Sequence, residues 1–536
     1  MYEVIVGRSE SDRKALGLVG TIYLGKMYVK MGAITSLSSK VYMDVARAHI
    51  VFIVGKRGTG KCLTEDSLIS MEDGSLMPIK DIENNNLNIL GLNETLKINK
   101  LKRTEFFKRE VEEIIQIKLR SGKEIKLTPE HPLLTIKGWK PIQELKIGSR
   151  IATPRILNNF GQETMSEHEI KILAYLIAEG YMKKTVLFSN NDEKIIGEFE
   201  NSLNDFDNNL KLIKDKKDHY RIIERGYNTK IISFKANRNE RGQFKSGKNP
   251  SIYKRRTIRE LLENHKLFGT GSLQRFIPQK IMKLKKEQLA LFLNRLFSCD
   301  GSIYCTKGYW EISYSSSSKQ LIKEVHHLLL RFGILSKIRQ KIIRLNNKIF
   351  YSEEIVITGE NVKRYVEEIG FFGVKKDKGK KCLEETISIK RNPSVDTIPR
   401  EIWELYKPNN WAEIGRKVGY IYPKSFRERI KYAPQRQTLM QIAIADNQNG
   451  LKLLAESDIF WDEIIEIKLI EGKTIVYDIA VPEHHNFVAN DIIVHNSYTM
   501  GVMAEEMANL PTEIANRIAV LIVDTMGIYW TMKYPN

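Results

Sequence analysis

The 536-residue sequence lacks any run of eighteen or more uncharged apolar residues, so no segment is long enough to cross a bilayer as a helix. Its first residues include an acid and no clean hydrophobic stretch, which argues against a secretory signal. Cysteine is scarce: Cys62, Cys299, Cys305 and Cys382 are too few and too scattered for a disulfide framework or a zinc site. We therefore expect a cytoplasmic protein without a membrane partner, in which one cysteine could serve as a nucleophile.

Acidic residues are outnumbered by basic ones, and the formal net charge is +20. Residues 1–61 and 497–536 together contribute +4, so residues 62–496 carry the remaining +16. A soluble segment with such a surplus usually meets a polyanion, and double-stranded DNA is the leading candidate partner. A basic protein that is merely soluble is the alternative. The length predicts several domains.

A glycine-rich loop follows the apolar residues 50–54, which are typical of a buried parallel strand. The positions that match the phosphate-binding pattern G-x-x-x-x-G-K-[ST] are Gly55, Gly58, Gly60 and Lys61. In that pattern backbone amides cradle phosphates, and a hydroxyl residue after the lysine binds magnesium. Cys62 stands where the hydroxyl residue is required.

The missing hydroxyl residue is found 435 positions later. Ser497 begins a segment with helical periodicity, and joining Lys61 to Ser497 completes the loop. Farther on, the apolar residues 518–523 end in Asp524, which matches the acidic strand that holds magnesium in ATPases. Two half-motifs that complete each other across a long insert indicate an interrupted ATP- and Mg²⁺-binding protein.

The residues at the two junctions suit a rearrangement of peptide bonds. Cys62 offers a thiol beside the Lys61 carbonyl, Ser497 offers a hydroxyl that can receive an acyl group, and Asn496 can cyclise onto its own carbonyl. Each step is nucleophilic catalysis that depends on activation and placement.

The segment 62–496 resembles the inteins, because short blocks typical of that family occur in the family's order. The residues that match positions of the blocks between the junctions are Thr128, His131, Asp478, His485 and His495. The resemblance implies that Thr128 and His131 act on the first scissile amide and that Asp478 assists the Cys62 attack and branching. It also implies that His485 and His495 assist the cyclisation of Asn496. For His131 alone, a surface histidine without a role is the alternative. Splicing of this kind needs no cofactor.

The family fold is the Hint domain, a mostly-β horseshoe that brings both ends to one site. The β-rich runs 111–119, 124–127 and 464–469, separated by Gly, Asn and Pro turns, are compatible with it.

Two apolar segments in the middle, residues 172–181 and 291–302, predict helices that each deliver one acid before a terminal glycine. Each alone could be a core helix. As a pair, they resemble the LAGLIDADG motifs of homing endonucleases, which implies a DNA-cleaving site with Glu179 and Asp300 as Mg²⁺ ligands. Tyr175 and Asn294 with Arg295 depart from the small residues usual in those motifs.

Several basic residues could support the endonuclease. Arg275 stands where a related block has lysine, and either Lys375 or Lys376 matches a later lysine block, with no basis in the sequence for choosing between them. Arg255 and Arg256 belong to a basic stretch, residues 235–259, that we expect to lie over phosphates. Residues 411–432 resemble a helix-turn-helix module, and a plain helical connector is the alternative.

We thus predict a multidomain chain, in which an α+β LAGLIDADG endonuclease is inserted into a mostly-β Hint domain between split pieces of an α/β P-loop ATPase. The predicted segments are 1–61 and 497–536 for the ATPase pieces, 62–160 and 455–496 for the Hint domain, 165–380 for the endonuclease, and 381–454 for a basic helical region. The flanks resemble HerA/FtsK-type ATPases, which implies a hexamer after splicing, whereas the intein itself is expected to be a monomer. An ATPase or DNA translocase fragment with an inactive endonuclease is the alternative function.

Overall fold

The computed structural model describes residues 3–31, 34–46, 61–224, 257–345, 348–387, 396–481 and 484–496. The predicted site residues outside these ranges are Gly55, Gly58, Gly60, Arg255, Arg256, Ser497 and Asp524. The chain divides into two compact units, residues 1–60 with 497–536 and residues 61–496. Within the described ranges, no helix has both the length and the apolar character required to cross a bilayer.

The described part of the first unit is a small mixed sheet. Its elements are β1 (Val4–Val6), α1 (Glu10–Leu16), β2 (Thr21–Met31) and β3 (Ile34–Asp44). Strand β3 lies between a parallel β1 and an antiparallel β2. The Ser9 hydroxyl caps α1 by accepting from the Asp12 N–H at 3.1 Å. Arg8 and Asp44 form a buried ion pair with an N–O distance of 2.5 Å.

The second unit begins with ten short strands. They are β4 (Leu63–Thr64), β5 (Leu68–Ser70), β6 (Leu76–Pro78), β7 (Ile89–Leu92), β8 (Ile98–Leu101), β9 (Phe106–Leu119), β10 (Glu124–Leu127), β11 (Pro132–Thr135), β12 (Gly138–Pro141) and β13 (Arg150–Pro154). Single 3₁₀ turns at Ile79–Asp81 and Ile142–Glu144 separate some of them. The predicted strands at 111–119 and 124–127 are confirmed, and the first begins five residues earlier than predicted.

Two similar halves follow. The first contains α2 (Glu167–Glu179), β14 (Gly180–Tyr181), β15 (Leu187–Ser189), α3 (Glu193–Phe206), β16 (Leu210–Lys216), β17 (His219–Glu224) and α4 (Thr257–Asn264). After a 3₁₀ turn (Ser272–Gln274) and α5 (Gln279–Met282), the second contains α6 (Lys286–Asp300), β18 (Gly301–Thr306), β19 (Tyr309–Ser316), α7 (Lys319–Arg331), β20 (Lys337–Leu345), β21 (Lys348–Thr358) and α8 (Glu360–Glu368). Helix α9 (Lys375–Ile387) ends this region. We call residues 162–387 the nested part.

The two halves of the nested part have the same topology. Their sheets are ordered β14-β15-β17-β16 and β18-β19-β21-β20, so that equivalent strands occupy equivalent places. Helices α2 and α6 pack against each other at the centre of one shared core. The predicted helices at 172–181 and 291–302 are confirmed, although each ends at its acidic residue.

The glycines after α2 and α6 are required for space. Both have extended backbones, with φ of −80° at Gly180 and −83° at Gly301, and neither adopts the left-handed conformation common after helices. A Cβ on Gly180 would lie 2.6 Å from the Leu176 carbonyl oxygen, and one on Gly301 would lie 2.5 Å from that of Phe297. The chain can therefore turn directly from each acid into a strand only with glycine at this point.

A helical region then leads back to the β-rich fold. Its elements are α10 (Ile402–Leu405), α11 (Trp411–Lys417), a 3₁₀ helix (Pro423–Lys431), α12 (Arg436–Ala445) and α13 (Asn449–Glu456). The basic segment in which the helix-turn-helix resemblance implies a second helix is helical, and it winds as a 3₁₀ helix that starts with proline. The core of the region includes Ala152, Val488 and Ile493, so it packs on the β-rich fold.

Three further strands complete the β-rich fold: β22 (Ile459–Ile479), β23 (Asn486–Ala489) and β24 (Ile492–His495). The predicted strand at 464–469 is confirmed as part of β22. One sheet has the order β13-β22-β4-β10-β9, and it curls back on itself because β22 also pairs with β9. A second has the order β12-β11-β24-β23-β5-β6, and β7 pairs with β8. We call residues 61–154 and 459–496 the β-rich part.

Buried polar contacts join the β-rich part to the nested part. Arg331 of α7 is almost fully buried, donates to the carbonyls of Met282 (2.7 Å) and Gly74 (3.3 Å), and has its pKa lowered to about 9 by burial. Next to it, His327 and Asp491 are 2.8 Å apart, and although burial opposes it, His327 lowers the pKa of Asp491 to about 2. These buried hydrogen bonds hold the two parts together, because breaking one would leave a buried polar group without its partner.

Candidate active sites

The first junction is held by hydrogen bonds between two neighbouring strands. Cys62 precedes β4 and Thr128 follows β10, and these strands pair with Leu63 opposite Leu127. The Thr128 hydroxyl accepts from the Cys62 N–H at 3.2 Å, and the Thr128 N–H donates to the Cys62 carbonyl at 3.1 Å. The predicted Thr128 therefore contacts the nitrogen of the Lys61–Cys62 bond.

His131 lies in the turn after Thr128 and is fully buried, which contradicts the alternative of a surface histidine. Neither imidazole nitrogen makes a hydrogen bond of ordinary geometry within the described part of the chain, although the Cys62 main chain lies close enough to raise the pKa of the ring. Burial, followed by the positive charges of His495 and Lys61, lowers the pKa of His131 to about 3. The ring is therefore neutral at physiological pH and can donate a proton from one nitrogen while accepting at the other.

The Cys62 thiol lies between opposite charges. Burial, and then the charge of Asp478, raise its pKa to about 11, while Arg109 opposes the shift by donating from Nε to Sγ at 3.3 Å. Strand β22 carries Asp478, and β9 carries Arg109, which faces this junction because the two strands pair. At neutral pH the thiol is protonated, so it needs a base during attack.

The second junction ends strand β24. Asn496 is fully buried, and its N–H donates to the His485 carbonyl at 3.1 Å. In the orientation that satisfies both side-chain atoms, its amide nitrogen donates to the same carbonyl and its oxygen accepts from the Val481 N–H, each at 2.7 Å. These contacts fix the side chain beside its own main chain.

The two predicted histidines flank this asparagine. His495 Nδ1 lies 2.5 Å from the Asn496 carbonyl oxygen, and its ring packs nearly perpendicular to that of Trp139 with a centroid distance of 4.7 Å. The His485 and His495 rings stack 6.4 Å apart. His485 has a positive φ of 53°, an uncommon backbone conformation for a non-glycine residue that indicates a constrained site.

Lys61 brings the two junctions together. Its Nζ lies 3.3 Å from His495 Nδ1, across 434 positions of the chain. Burial lowers the pKa of the Lys61 ammonium, and the charge of Asp478 opposes this shift. Burial, and then the charge of Lys61, lower the pKa of His495 to about 3 and that of His485 in the same direction. The sequence alone did not assign this contact or the one from Arg109, since neither follows from spacing.

The two acids predicted for the nested part end the paired helices. Asn190 donates to a Glu179 carboxyl oxygen at 2.5 Å, and burial raises the pKa of Glu179. Burial, and then the charge of Glu179, raise the pKa of Asp300 to about 7. The structure therefore brings the two carboxyl groups within electrostatic reach of each other. Perturbed acids of this kind are typical of functional sites.

Two cations cap the helices that deliver these acids. Arg275 donates to the carbonyls of Ile177, Ala178 and Gly180 at the end of α2. Lys375 Nζ donates to the carbonyls of Ser298 and Cys299, both at 2.6 Å, at the end of α6. Of the two candidates left open by the sequence, it is Lys375 that lies at the end of α6 and lowers the pKa of both acids through its charge, against the larger effect of burial, whereas Lys376 is exposed.

The side chains that depart from the usual small residues are accommodated beside the paired helices. Tyr175 and Arg295 both bind Glu198 of α3, and Asn294 donates to the Ile369 carbonyl at 2.8 Å.

Within the described ranges, no group of three His, Cys, Asp or Glu side chains is arranged to hold a metal ion. Glu179 and Asp300 offer only two carboxylates, which are hard oxygen donors of the kind Mg²⁺ prefers while it retains water.

Comparisons with known proteins match most of the chain. The model of the intein splicing domain family matches residues 69–496. The replicative DNA helicase DnaB of Synechocystis is 31% identical over 465 residues, which cover 81% of this chain and 49% of that protein. The replication factor C small subunit of Methanocaldococcus jannaschii is 25% identical over 609 residues, which cover 86% of this chain and 31% of that protein. The chain thus spans half or less of these relatives.

A solved structure is similar over a smaller region. The crystal structure of a DnaB intein from Synechocystis is 36% identical, covering 18% of this chain and 70% of that chain, with a TM-score of 0.17.

Proposed function

The chain belongs to the intein splicing domain family, and from this we propose that residues 62–496 excise themselves and join Lys61 to Ser497. Splicing by an intein is autocatalytic, so the groups that react must lie in the chain itself. The observation that supports the proposal is the contact between the side chains of Lys61, at the first junction, and His495, next to Asn496 at the second. We propose that the reaction needs no cofactor.

The first step is attack of the Cys62 thiol on the Lys61 carbonyl carbon. A thioester forms and the Lys61–Cys62 amide breaks. The thiol must lose its proton, and the leaving nitrogen must gain one. Asp478, whose charge acts on the thiol, takes its proton, and the neutral His131 accepts that proton at one nitrogen while giving one from the other to the leaving nitrogen, which the Thr128 hydroxyl holds. In the second step the Ser497 hydroxyl attacks the thioester, which releases the Cys62 thiol.

The third step is cyclisation of Asn496. Its side-chain nitrogen attacks its own main-chain carbonyl carbon, and the bond to Ser497 breaks to leave a succinimide and a free amine. His495 polarises that carbonyl oxygen from 2.5 Å, and the His485 carbonyl holds the attacking amide. The Ser497 amine then attacks the ester, so that an amide joins Lys61 to Ser497.

Weighing the products of the full chain tests the splicing proposal. We expect one species of 435 residues, corresponding to 62–496, and one of 101 residues that contains the new junction. Peptide sequencing across the junction should read Gly60, Lys61, Ser497. Precursor that stays intact under all conditions would refute the proposal.

Arg109 offers a more specific test, because it contacts the nucleophile and was not assigned from the sequence. Arg109→Met should raise the thiol pKa further and slow thioester formation by about tenfold, the effect of losing one charge-assisted hydrogen bond. The measurement is the rate of thiol-induced release of residues 1–61. Arg103→Met is the matched control, because Arg103 precedes the same strand but does not act on the Cys62 thiol. Equal rates for Arg109→Met and the parent would exclude the assigned role.

We further propose that the nested part is a LAGLIDADG-type homing endonuclease that cuts double-stranded DNA encoding the uninterrupted loop. The observation that favours it is the pair of acids at the ends of two packed helices in two halves of identical topology. Glu179 and Asp300 would hold Mg²⁺, which would activate water for phosphodiester attack. Arg275 and Lys375 fix the helix ends, and Arg255 and Arg256 would contact phosphates. Cutting of such DNA that depends on Mg²⁺ is the test.

The flanks suggest the host. We propose that they form part of a P-loop ATPase of the HerA/FtsK type, hexameric after splicing, in which Gly55, Gly58, Gly60, Lys61, Ser497 and Asp524 bind ATP and Mg²⁺. The loop is interrupted in the precursor, so the host would not hydrolyse ATP before splicing. The excised intein would be a monomer, and both products would be cytoplasmic.

A further inference from the structure

One imidazole nitrogen at the second junction takes part in two contacts. His495 Nδ1 lies 2.5 Å from the Asn496 carbonyl oxygen and 3.3 Å from Lys61 Nζ. A carbonyl oxygen only accepts hydrogen bonds, so Nδ1 must carry a proton to assist it. An ammonium only donates, so Nδ1 must be without a proton to bind Lys61. The two contacts therefore require opposite protonation of the same atom.

We propose that Lys61, the last residue of the first flank, holds back Asn496 cyclisation until its own acyl group has left Cys62. While Lys61 remains bonded to Cys62, its ammonium occupies His495 Nδ1 and prevents that nitrogen from polarising the Asn496 carbonyl. Transfer of the acyl group to Ser497 moves Lys61, and Nδ1 can then take a proton. The order of the splicing steps thus depends on whether Lys61 is still bonded to Cys62. Cleavage at Asn496 without ligation is thereby suppressed. This inference rests on the proposed splicing function.

The charges around this contact agree with the proposal. Besides burial and the charge of Lys61, the groups that affect the pKa of His495 are the Asn496 main chain and the His485 ring. Burial lowers the pKa of Lys61 itself, and the charge of Asp478 opposes that shift. The charge of Lys61 also lowers the pKa of His131 and of His485. Departure of Lys61 would therefore favour protonation of all three histidines at once, in the histidine cluster that serves both junctions.

The contact is specific to the precursor, because Lys61 lies outside the excised segment. The Trp139 and His495 rings pack nearly perpendicular to each other with a centroid distance of 4.7 Å, which restrains the orientation of the imidazole. Lys61 is therefore a positioning residue that acts through His495.

The test uses the full chain with Cys62→Ala, in which the first step is blocked and Lys61 stays in place. We expect release of residues 497–536 to be slow in this chain and about tenfold or more faster when Lys61→Met is added, the factor for one charge-assisted hydrogen bond. Lys61→Arg, which keeps a cationic donor, should remain slow. If Lys61→Met releases the flank no faster than the Cys62→Ala parent, the proposal is wrong.

A second measurement does not depend on rates. Nitrogen-15 NMR of His495 in the Cys62→Ala chain should show Nδ1 without a proton, and Lys61→Gln should shift it toward the protonated form and raise the pKa of the ring. An unchanged spectrum would overturn the proposal.

Asn496→Ala, in the same Cys62→Ala background, separates the ordering role from the splicing chemistry on which it rests. Flank release that survives this change would refute cyclisation and hence the proposed function. If Asn496→Ala abolishes release, cyclisation stands, and equal release rates with and without Lys61→Met would then refute the ordering role alone.

Discussion

The full chain with Asn496→Ala is expected to keep the bond between residues 496 and 497 intact. Alanine has no side-chain amide, so no succinimide can form, and an unassisted peptide bond persists for years at neutral pH. The earlier steps do not use this side chain. Thioester and branched ester should therefore still form, and added thiol or hydroxylamine should release residues 1–61. Mass spectrometry should detect that fragment and its partner, with no excised 435-residue species.

Asn201→Ala is the matched control for this variant. Asn201 is exposed on α3 in the nested part, far from either junction in the chain, so its replacement should leave splicing unchanged. The control should give the 435-residue and 101-residue products, whereas Asn496→Ala should keep residues 497–536 bonded to residue 496. Excision from Asn496→Ala at the parent rate would contradict the assigned chemistry, because another residue would have to break the second bond.

The elements that the sequence predicts best are those with strong local patterns. The β-rich runs at 111–119 and 124–127 lie in strands, and the apolar segments that end in Glu179 and Asp300 are helices. Period and turn residues are local properties, so a single sequence contains them. The sequence did not distinguish an α-helix from a 3₁₀ helix in the basic segment before Tyr432, where a proline start and packing of Phe426 on Trp411 accompany the tighter 3₁₀ winding.

The missed contacts depend on long-range pairing. Arg109 meets Cys62 only because β9 and β22 pair beside β4, and Lys61 meets His495 across most of the chain. The choice between Lys375 and Lys376 likewise depends on which side of α9 faces α6, and two adjacent residues give no sequence signal for this. Burial of His131 could be expected only from the family blocks. Residue types at the junctions were predictable, whereas the groups that tune them were not.

Asp300→Asn is expected to abolish Mg²⁺-dependent DNA cutting. Amide oxygen is a weaker ligand than carboxylate, and loss of metal-ion catalysis worth several kcal/mol lowers the rate by about a thousandfold or more. Glu179→Gln should have the same effect. The measurement is the single-turnover rate of cleavage of DNA that encodes the uninterrupted loop. Asp377→Asn is the matched control, since Asp377 is an exposed acid in the helix that also carries Lys375.

The raised pKa of Asp300 also predicts how DNA cutting depends on pH and how Asp300→Asn changes the thermal stability. Because the pKa of Asp300 is raised to about 7, its carboxyl group is protonated below that pH, and cutting should fall as pH decreases through 7. A higher Mg²⁺ concentration should move this decrease in the cutting rate to lower pH, because the cation favours the charged form of the carboxyl group.

A buried acid with a raised pKa destabilises the fold when it is ionised. At pH 8 the Asp300→Asn variant should therefore melt at the same temperature as the parent or at a higher one. Mg²⁺ should raise the melting temperature of the parent and leave that of Asp300→Asn unchanged. A variant that still cuts DNA, or whose melting temperature still rises with Mg²⁺, would show that the two acids are core residues rather than a cleavage site.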